Sequence, residues 1–248
     1  AAPFAPRGSP SLEVKPSVCV NRLMHISLFL LFLGFSSVVV GAADKPNVVW
    51  ILSEDNSEHY LRLYDPGGAP TPNIEAMARD GLLFNHAFSN APVCSVARTT
   101  LITGCYAPRI GTQFHRRAKM ASMPDGLKMF PAYLRKAGYH TTNNSKTDYN
   151  ATPSDDVWDA SSNKAHWRNR EDGQPFFHQR TFATTHESSL HFSAERMLAE
   201  KTTTDPASIV LAPYHPDTPT FRYTYARYHD RIRDMDAQVG EVLAELKE

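Results

Sequence analysis

Cys94 and Arg98 stand four residues apart in Ala91-Pro92-Val93-Cys94-Ser95-Val96-Ala97-Arg98-Thr99-Thr100-Leu101-Ile102-Thr103-Gly104. Turn-prone Asn90-Ala91-Pro92 comes before them, and Gly104 closes the run. This order predicts a loop feeding a helix, with Cys94 at the positive end of the helix dipole and Arg98 one turn on. Such a corner suits an anion and the group that attacks it. A helix N-terminus and a nearby cation depress a thiol pKa from about 8.5, so a bare thiolate is one available nucleophile. A buried free cysteine in an ordinary helix satisfies the same spacing.

A second constellation is Glu54-Asp55, one residue after Val48-Val49-Trp50-Ile51-Leu52. Five apolar residues bounded by Pro46 and acids predict a strand buried on both faces of a parallel sheet. The two carboxylates then fall at its C-terminal end, where open α/β sheets place ligands. Side by side they repel unless a cation lies between them, and hard oxygen donors favour calcium or magnesium. A solvated loop carrying two acids is the alternative. His115, Arg116 and Arg117 either line the path of an anionic substrate or form a hydrated loop.

The run C-S-V-A-R-T-T-L-I-T-G resembles the signature of the type I, formylglycine-dependent sulfatases, C-x-P-S/A-R with a following L-x-T-G. The resemblance implies that a maturase oxidises Cys94 to formylglycine. One hydroxyl of its hydrate attacks sulfur, and the second is deprotonated so that collapse to the aldehyde expels sulfate. Val96 stands where the family has Pro. The family's opening P-N-(apolar)-A-D-D corresponds to Pro46 through Asp55, so Glu54, Asp55 and the modified Cys94 are the implied metal ligands, for Ca2+ or Mg2+. Glu54 is longer than the family's Asp, which makes Asp55 the safer assignment.

Further segments keep the family order: T-P-N-I-E-A-M-A-R-D-G-L-L-F from Thr71, Y-A-P-R-I-G from Tyr106, P-F-F leading to His186, and P-D-T-P from Pro216. By this resemblance Lys146 contacts the sulfate and His186 protonates the leaving group, a task for a side chain titrating near neutrality. Asp148 takes the place of a family His that binds the hydroxyl not used in attack. It cannot donate as an imidazolium does, but it can accept a proton. Asp148 and His115 are the candidate substrate-binding residues, and Cys94, Arg98, Lys146 and His186 the catalytic ones.

The implied fold is α/β, an alkaline-phosphatase-like sandwich with a mostly parallel sheet and helices on both faces. The family's later D-N-G strand and further Lys have no counterpart in the 248 residues. Residues 44–248 therefore read as the N-terminal part of the catalytic domain, incomplete at the C-terminus, and this chain alone is expected to turn over little substrate. The pattern is similar to bacterial secreted heparan N-sulfatase-like enzymes, with a sulfated carbohydrate or sulfate ester as substrate. A phosphonate or phosphodiester hydrolase of the same superfamily, and a non-catalytic carbohydrate-binding relative, are the alternatives.

The elements must position these groups. With 26 basic and 26 acidic residues and 42% hydrophobic composition, the chain reads as an ordinary globular domain, not a nucleic-acid binder or polybasic membrane protein. Cys19, Cys94 and Cys105 are too scattered for a disulfide framework or zinc site. Residues 1–23 read as a disordered extension. Residues 24–43 read as a signal peptide whose apolar run Ile26 to Val40 is short for a membrane span, with an uncleaved anchor as the alternative. Cleavage would leave no stable membrane anchor and a secreted or periplasmic protein.

Thr71 as N-cap, Pro72 and Gly81 bracket one predicted helix; Leu127, Phe130, Leu134 and Ala137 mark another, ended by Gly138. A β-prone segment runs from Tyr139 to Asn144 and another strand leads from Phe176 toward His186. Between them, Trp158, His166, Trp167, Arg168 and Arg170 mix rings and cations, which either stack on sugars and pair with sulfate or form a plain packed surface loop. His178 and His191 read as surface residues. Tyr225, Tyr228, Ile232, Met235, Val239, Val242 and Leu246 give a long helix its apolar stripe. Asn143 and Asn150 open formal glycosylation sequons.

Overall fold

The computed structural model describes residues 45–116 and 119–248. The extension 1–23, the signal segment 24–43 and Arg117 lie outside the described residues. Four strands, β1 (Val48–Ser53), β2 (His140–Asn144), β3 (Ala160–Ser161) and β4 (Phe176–Phe182), form one sheet in the order β1-β4-β2-β3. Every pairing is parallel. All strand C-termini therefore open on the same edge, as the candidate residues require.

Helices cover both faces. Along β4 the side chains alternate: Phe176 and Phe182 go to one side, with Val49 and Ile51 of β1. They pack against the stripe of α5 (Pro219–Glu245), where Tyr228, Ile232, Met235 and Val239 are buried. On the other face, Trp50 and Phe177 meet Phe130, their ring centroids 5.6 and 5.1 Å from it. That layer belongs to α2 (Cys94–Thr103) and α3 (Phe130–Lys136), through Ile102, Met129 and Ala132. Fully burying each such aliphatic side chain contributes about 1.5–3 kcal/mol.

β1 departs from the expectation of burial on both faces. It is half-buried, because with β4 as its single neighbour it lies at an edge of the sheet among the described residues. The predicted helix near Leu127 starts instead at Phe130, with Pro131 in the first turn where a missing N–H costs nothing.

The helix α1 (Pro72–Asp80) begins and ends where expected, but Thr71 does not cap it with its side chain. Asp236 of α5 does, accepting from the backbone N–H of Asn73 at 3.1 Å and of Ile74 at 2.9 Å. Glu75 reaches back to the Thr71 N–H at 3.0 Å. Asp236 is 2% exposed, so the long helix supplies what the local sequence does not. Gly240 lets the two helices approach this closely: a Cβ there would meet the Asn73 side chain at 2.8 Å.

One further expectation is corrected and two open readings are decided. His178 is not on the surface; it is buried, with Nδ1 2.7 Å from Thr142 Oγ1. Burial first, then the charges of His166, Arg180 and His140, push its pKa down to about 4. The rings and cations of 158–170 form the packed surface loop that was the other reading of their composition, not a sugar platform. Trp167 stacks on Phe176 and Trp158 on Phe177. His166 faces Glu245 and Arg168 faces Glu248, while Arg170 lies over Phe176. Lastly, Asn143 and Asn150 are buried, with their amides bonded internally to Ser161 and to the carbonyls of Thr112 and Phe114. Neither can carry a glycan in the folded chain. Among the described residues no helix is long and apolar enough to cross a membrane.

Candidate active site

Three strand ends and one helix start converge. β1 delivers Glu54 and Asp55, β2 delivers Lys146, β4 continues through one turn to His186, and α2 begins at Cys94. Pro92 and extended Val93 lead into Cys94, and Gly104 ends the helix at φ 64°, a conformation glycine adopts without a Cβ penalty.

Glu54 is the electrostatic centre. It is 5% exposed. Its Oε1 accepts from Arg98 Nη1 at 3.2 Å, and its Oε2 is held by Lys146 Nζ. Its carbonyl accepts from the Thr185 hydroxyl at 2.5 Å. Arg98 in turn donates through Nε to the Thr147 carbonyl at 2.9 Å and through Nη2 to the carbonyl of Lys146. One guanidinium thus ties β1, α2 and the loop after β2 into a single corner. Gln179 and Asn143 back that loop, with Gln179 Nε2 donating to Asn143 Oδ1 at 2.8 Å and Asn143 Nδ2 to the Ser145 carbonyl at 3.1 Å.

Asp55 faces Cys94. Its Oδ1 lies 3.9 Å from the thiol, while Oδ2 accepts from the Glu187 N–H at 2.8 Å and stands 3.8 Å from His186 Nε2. Tyr228 of α5 holds the Asp55 carbonyl. His186 Nδ1 accepts from the Ser188 N–H at 3.2 Å, which assigns the neutral ring's proton to Nε2, the nitrogen turned toward Asp55.

Cys94 is half-buried, and its thiol is raised, not depressed. Burial is the largest cause. Lys146 favours the thiolate, but Asp55, Glu54 and Asp148 oppose it. The expectation of a ready thiolate is therefore overturned: the helix terminus and cation are outweighed by desolvation and three carboxylates. Val96 lies within α2 and is 1% exposed, so its side chain belongs to the packed interior.

The candidate substrate residues come in pairs. Asp148 is gripped by Arg116, Oδ1 to Nε and Oδ2 to Nη2, both 3.2 Å. Its carboxyl is held below the usual range: burial opposes ionisation, and the Arg116 contact with Lys146 and His115 wins. His115 turns to Ser95, Nδ1 to Oγ 3.0 Å, instead of to Cys94.

For a metal, Glu54, Cys94 and His186 each offer a ligand atom within 4.8 Å of the others. Asp55 adds a carboxylate oxygen on the Cys94 side. The two acids fit a hard divalent cation in donor type. Both Glu54 oxygens already face cations, so Asp55 is the carboxylate free to lead.

The model of the family described as Sulfatase matches residues 46–248. The chain belongs to the sulfatase family. It is 30% identical over 246 residues to an ulvan-active sulfatase of Formosa agariphila, covering 83% of this chain and 41% of that protein. It is 35% identical over 108 residues to human N-acetylgalactosamine-6-sulfatase, covering 40% and 21%. The chain thus spans less than half the length of these curated relatives.

Among solved structures, BT4656 in complex with its substrate D-glucosamine-2-N,6-O-disulfate superposes with TM-score 0.57 at 14% identity, over 82% of this chain and 62% of that one. The phosphonate monoester hydrolase of Agrobacterium radiobacter gives 0.57 at 16%, over 82% and 59%. These likenesses identify the fold as alkaline-phosphatase-like, a parallel sheet flanked by helices.

Within this sulfatase domain, sequence reasoning missed Thr185, Glu187, Gln179 and Tyr228. Each acts through a backbone group or supports a neighbour, and no motif marks such a role. Tyr228 does fall on the apolar stripe of α5, which placed it near the sheet but not at Asp55.

Proposed function

We propose that this domain is the nucleophile-bearing part of a secreted or periplasmic sulfuric ester hydrolase that removes sulfate from a sulfated glycan. The supporting observation is the convergence on Cys94 of Arg98, Lys146, Asp55 and His186 from four separate elements. A maturase converts Cys94 to formylglycine, whose hydrate supplies the attacking oxygen. The raised thiol agrees with this, because the unmodified side chain is a poor nucleophile.

Asp55, Glu54 and position 94 would hold a divalent cation, calcium or magnesium by donor type, which would supply charge neutralisation for the sulfate oxygens. Lys146 binds the sulfate, and Arg98 keeps Lys146 and Glu54 in register. His186 holds a proton on Nε2 for the departing oxygen, with Ser188 fixing the ring.

The test is mass spectrometry of the Cys94 peptide from protein produced with and without a formylglycine-generating maturase. Conversion lowers the mass by about 18 Da, sulfur being replaced by oxygen with loss of two hydrogens. A thiol that persists with the maturase present overturns the reading in favour of a non-catalytic carbohydrate-binding relative. Aryl sulfate and aryl phosphonate substrates, compared on the longest natural form of the protein, separate the sulfatase from a phosphonate hydrolase.

A further inference from the structure

Asp55, Arg116 and Asp148 are the non-glycine residues with left-handed backbone among the described residues, at φ 46°, 45° and 49°. Asp55 faces the Cys94 thiol, and the other two form the bidentate pair beside it. A side chain in this region costs roughly 1–2 kcal/mol. The Arg116 side chain is 58% exposed, and an ion pair with so much solvent contact contributes only about 0–1 kcal/mol. Stability alone does not account for two strained residues held together by a weak bond.

Each partner is also pinned to the reactive corner. The Arg116 N–H donates to Ser95 Oγ at 3.0 Å, and Ser95 is fully buried beside Cys94. Asp148 follows Thr147, whose carbonyl takes Arg98 Nε, and lies two residues from Lys146. The pair therefore sits at the mouth of the sulfate corner on a rigid base. Its charges cancel, so it does not add a second anion site. It presents an ionised acceptor and a guanidinium donor side by side.

We propose that the Arg116–Asp148 pair reads the sugar: Asp148 accepts from one hydroxyl, and Arg116 donates to its neighbour, on the ring that carries the scissile sulfate. This rests on the sulfatase reading above and names the chemistry it selects, a vicinal diol next to the ester. By the resemblance Asp148 takes the position of a family His, so recognition of the ring would replace part of what that imidazole contacts.

The experiment is calorimetric binding to the full chain carrying Cys94→Ala, which removes the nucleophile. The probes are a panel of monosulfated methyl glycosides, the deoxy analogue of the tightest member lacking one ring hydroxyl, and inorganic sulfate. In the parent chain, removing the hydroxyl weakens binding about tenfold, the size of a hydrogen bond to a charged group. With Arg116→Met or Asp148→Asn added, the glycoside-to-sulfate selectivity falls about tenfold, the deoxy analogue loses no further affinity, and the double variant matches the singles.

Equal losses toward glycoside and inorganic sulfate would overturn the proposal and make the pair a sulfate-binding element. Unchanged selectivity with a lowered urea midpoint would make it structural. A parent chain that binds neither glycosides nor sulfate overturns the sulfatase reading itself, and this proposal with it. A parent that binds them while the variants keep their selectivity overturns this proposal alone.

Discussion

Arg98 Nη1 lies 3.2 Å from Glu54 Oε1, and the two side chains are 8% and 6% exposed. This contact adjoins Lys146 and lies beside Cys94, so charge balance and site geometry depend on one pair. Removing one partner of a buried pair leaves the other uncompensated. Arg98→Met is expected to cost about 3–5 kcal/mol in urea unfolding. Lys146→Met should cost less, since its side chain is 22% exposed and water replaces part of the contact. Equal losses for the two variants would show that Glu54 is not organised around Arg98.

The raised Cys94 thiol governs its reactivity before any modification. Alkylation by iodoacetamide, followed on the Cys94 peptide, should rise with a midpoint above that of a free cysteine. Asp55→Asn removes one of the carboxylates that oppose the thiolate, so its midpoint should move down. Lys146→Met should move it up. A midpoint near 7 in the unsubstituted chain would contradict the charge distribution described here.

His178 gives the fold a pH dependence whose sign is fixed. Its folded pKa of about 4 lies below the ordinary 6.5. Above 6.5 both states leave it neutral, and the stability is fully present. As pH falls from 6.5 toward 4 the unfolded chain takes up a proton that the folded one refuses, and about 3 kcal/mol is lost. His178→Gln should flatten the stability profile across that window; an unchanged slope would assign the acid sensitivity to other groups.

Asp236 and Gly240 join α5 to α1. Asp236→Ala removes the acceptor for two helix N–H groups and is expected to cost about 1–2 kcal/mol. Gly240→Ala pushes a methyl into Asn73, for about 1–3 kcal/mol. Both residues act on one contact, so the double variant should lose less than the sum in denaturant titrations.

Asp55 is the carboxylate best placed to lead a metal. Asp55→Asn should weaken calcium binding by about tenfold or more in titration calorimetry, because ligand charge sets affinity for hard cations. Indifference to the substitution would move the cation elsewhere.

Much of this site was legible in the chain. The apolar run before Glu54 placed a strand whose end carries two acids, and Pro92 to Gly104 placed a helix starting at Cys94. Parallel pairing then did the rest, since it sends Asp55, Lys146 and His186 to one edge although they are far apart in sequence.

What was not legible depends on partners. His178 looked like a surface residue because its strand is central, flanked by β1 and β2, and no local pattern tells that. The composition around Trp158 and Trp167 left a sugar platform and a packed loop both open, and only Phe177 and Phe176 on the two faces of β4 decide for the packed loop. Asp236 reads as one more polar helix residue until α1 arrives at its carboxylate. The thiol's direction needed the count of carboxylates around it, which spacing cannot supply.

The opposed faces of β4 have a practical consequence. The chain's three indoles are Trp50, Trp158 and Trp167. The first two meet Phe177 in the α2–α3 layer, whereas Trp167 lies on Phe176 in the α5 layer. Replacing either set by phenylalanine leaves an intrinsic fluorophore confined to one side, so emission spectra can report separately whether the Cys94-bearing half or the long-helix half loosens first.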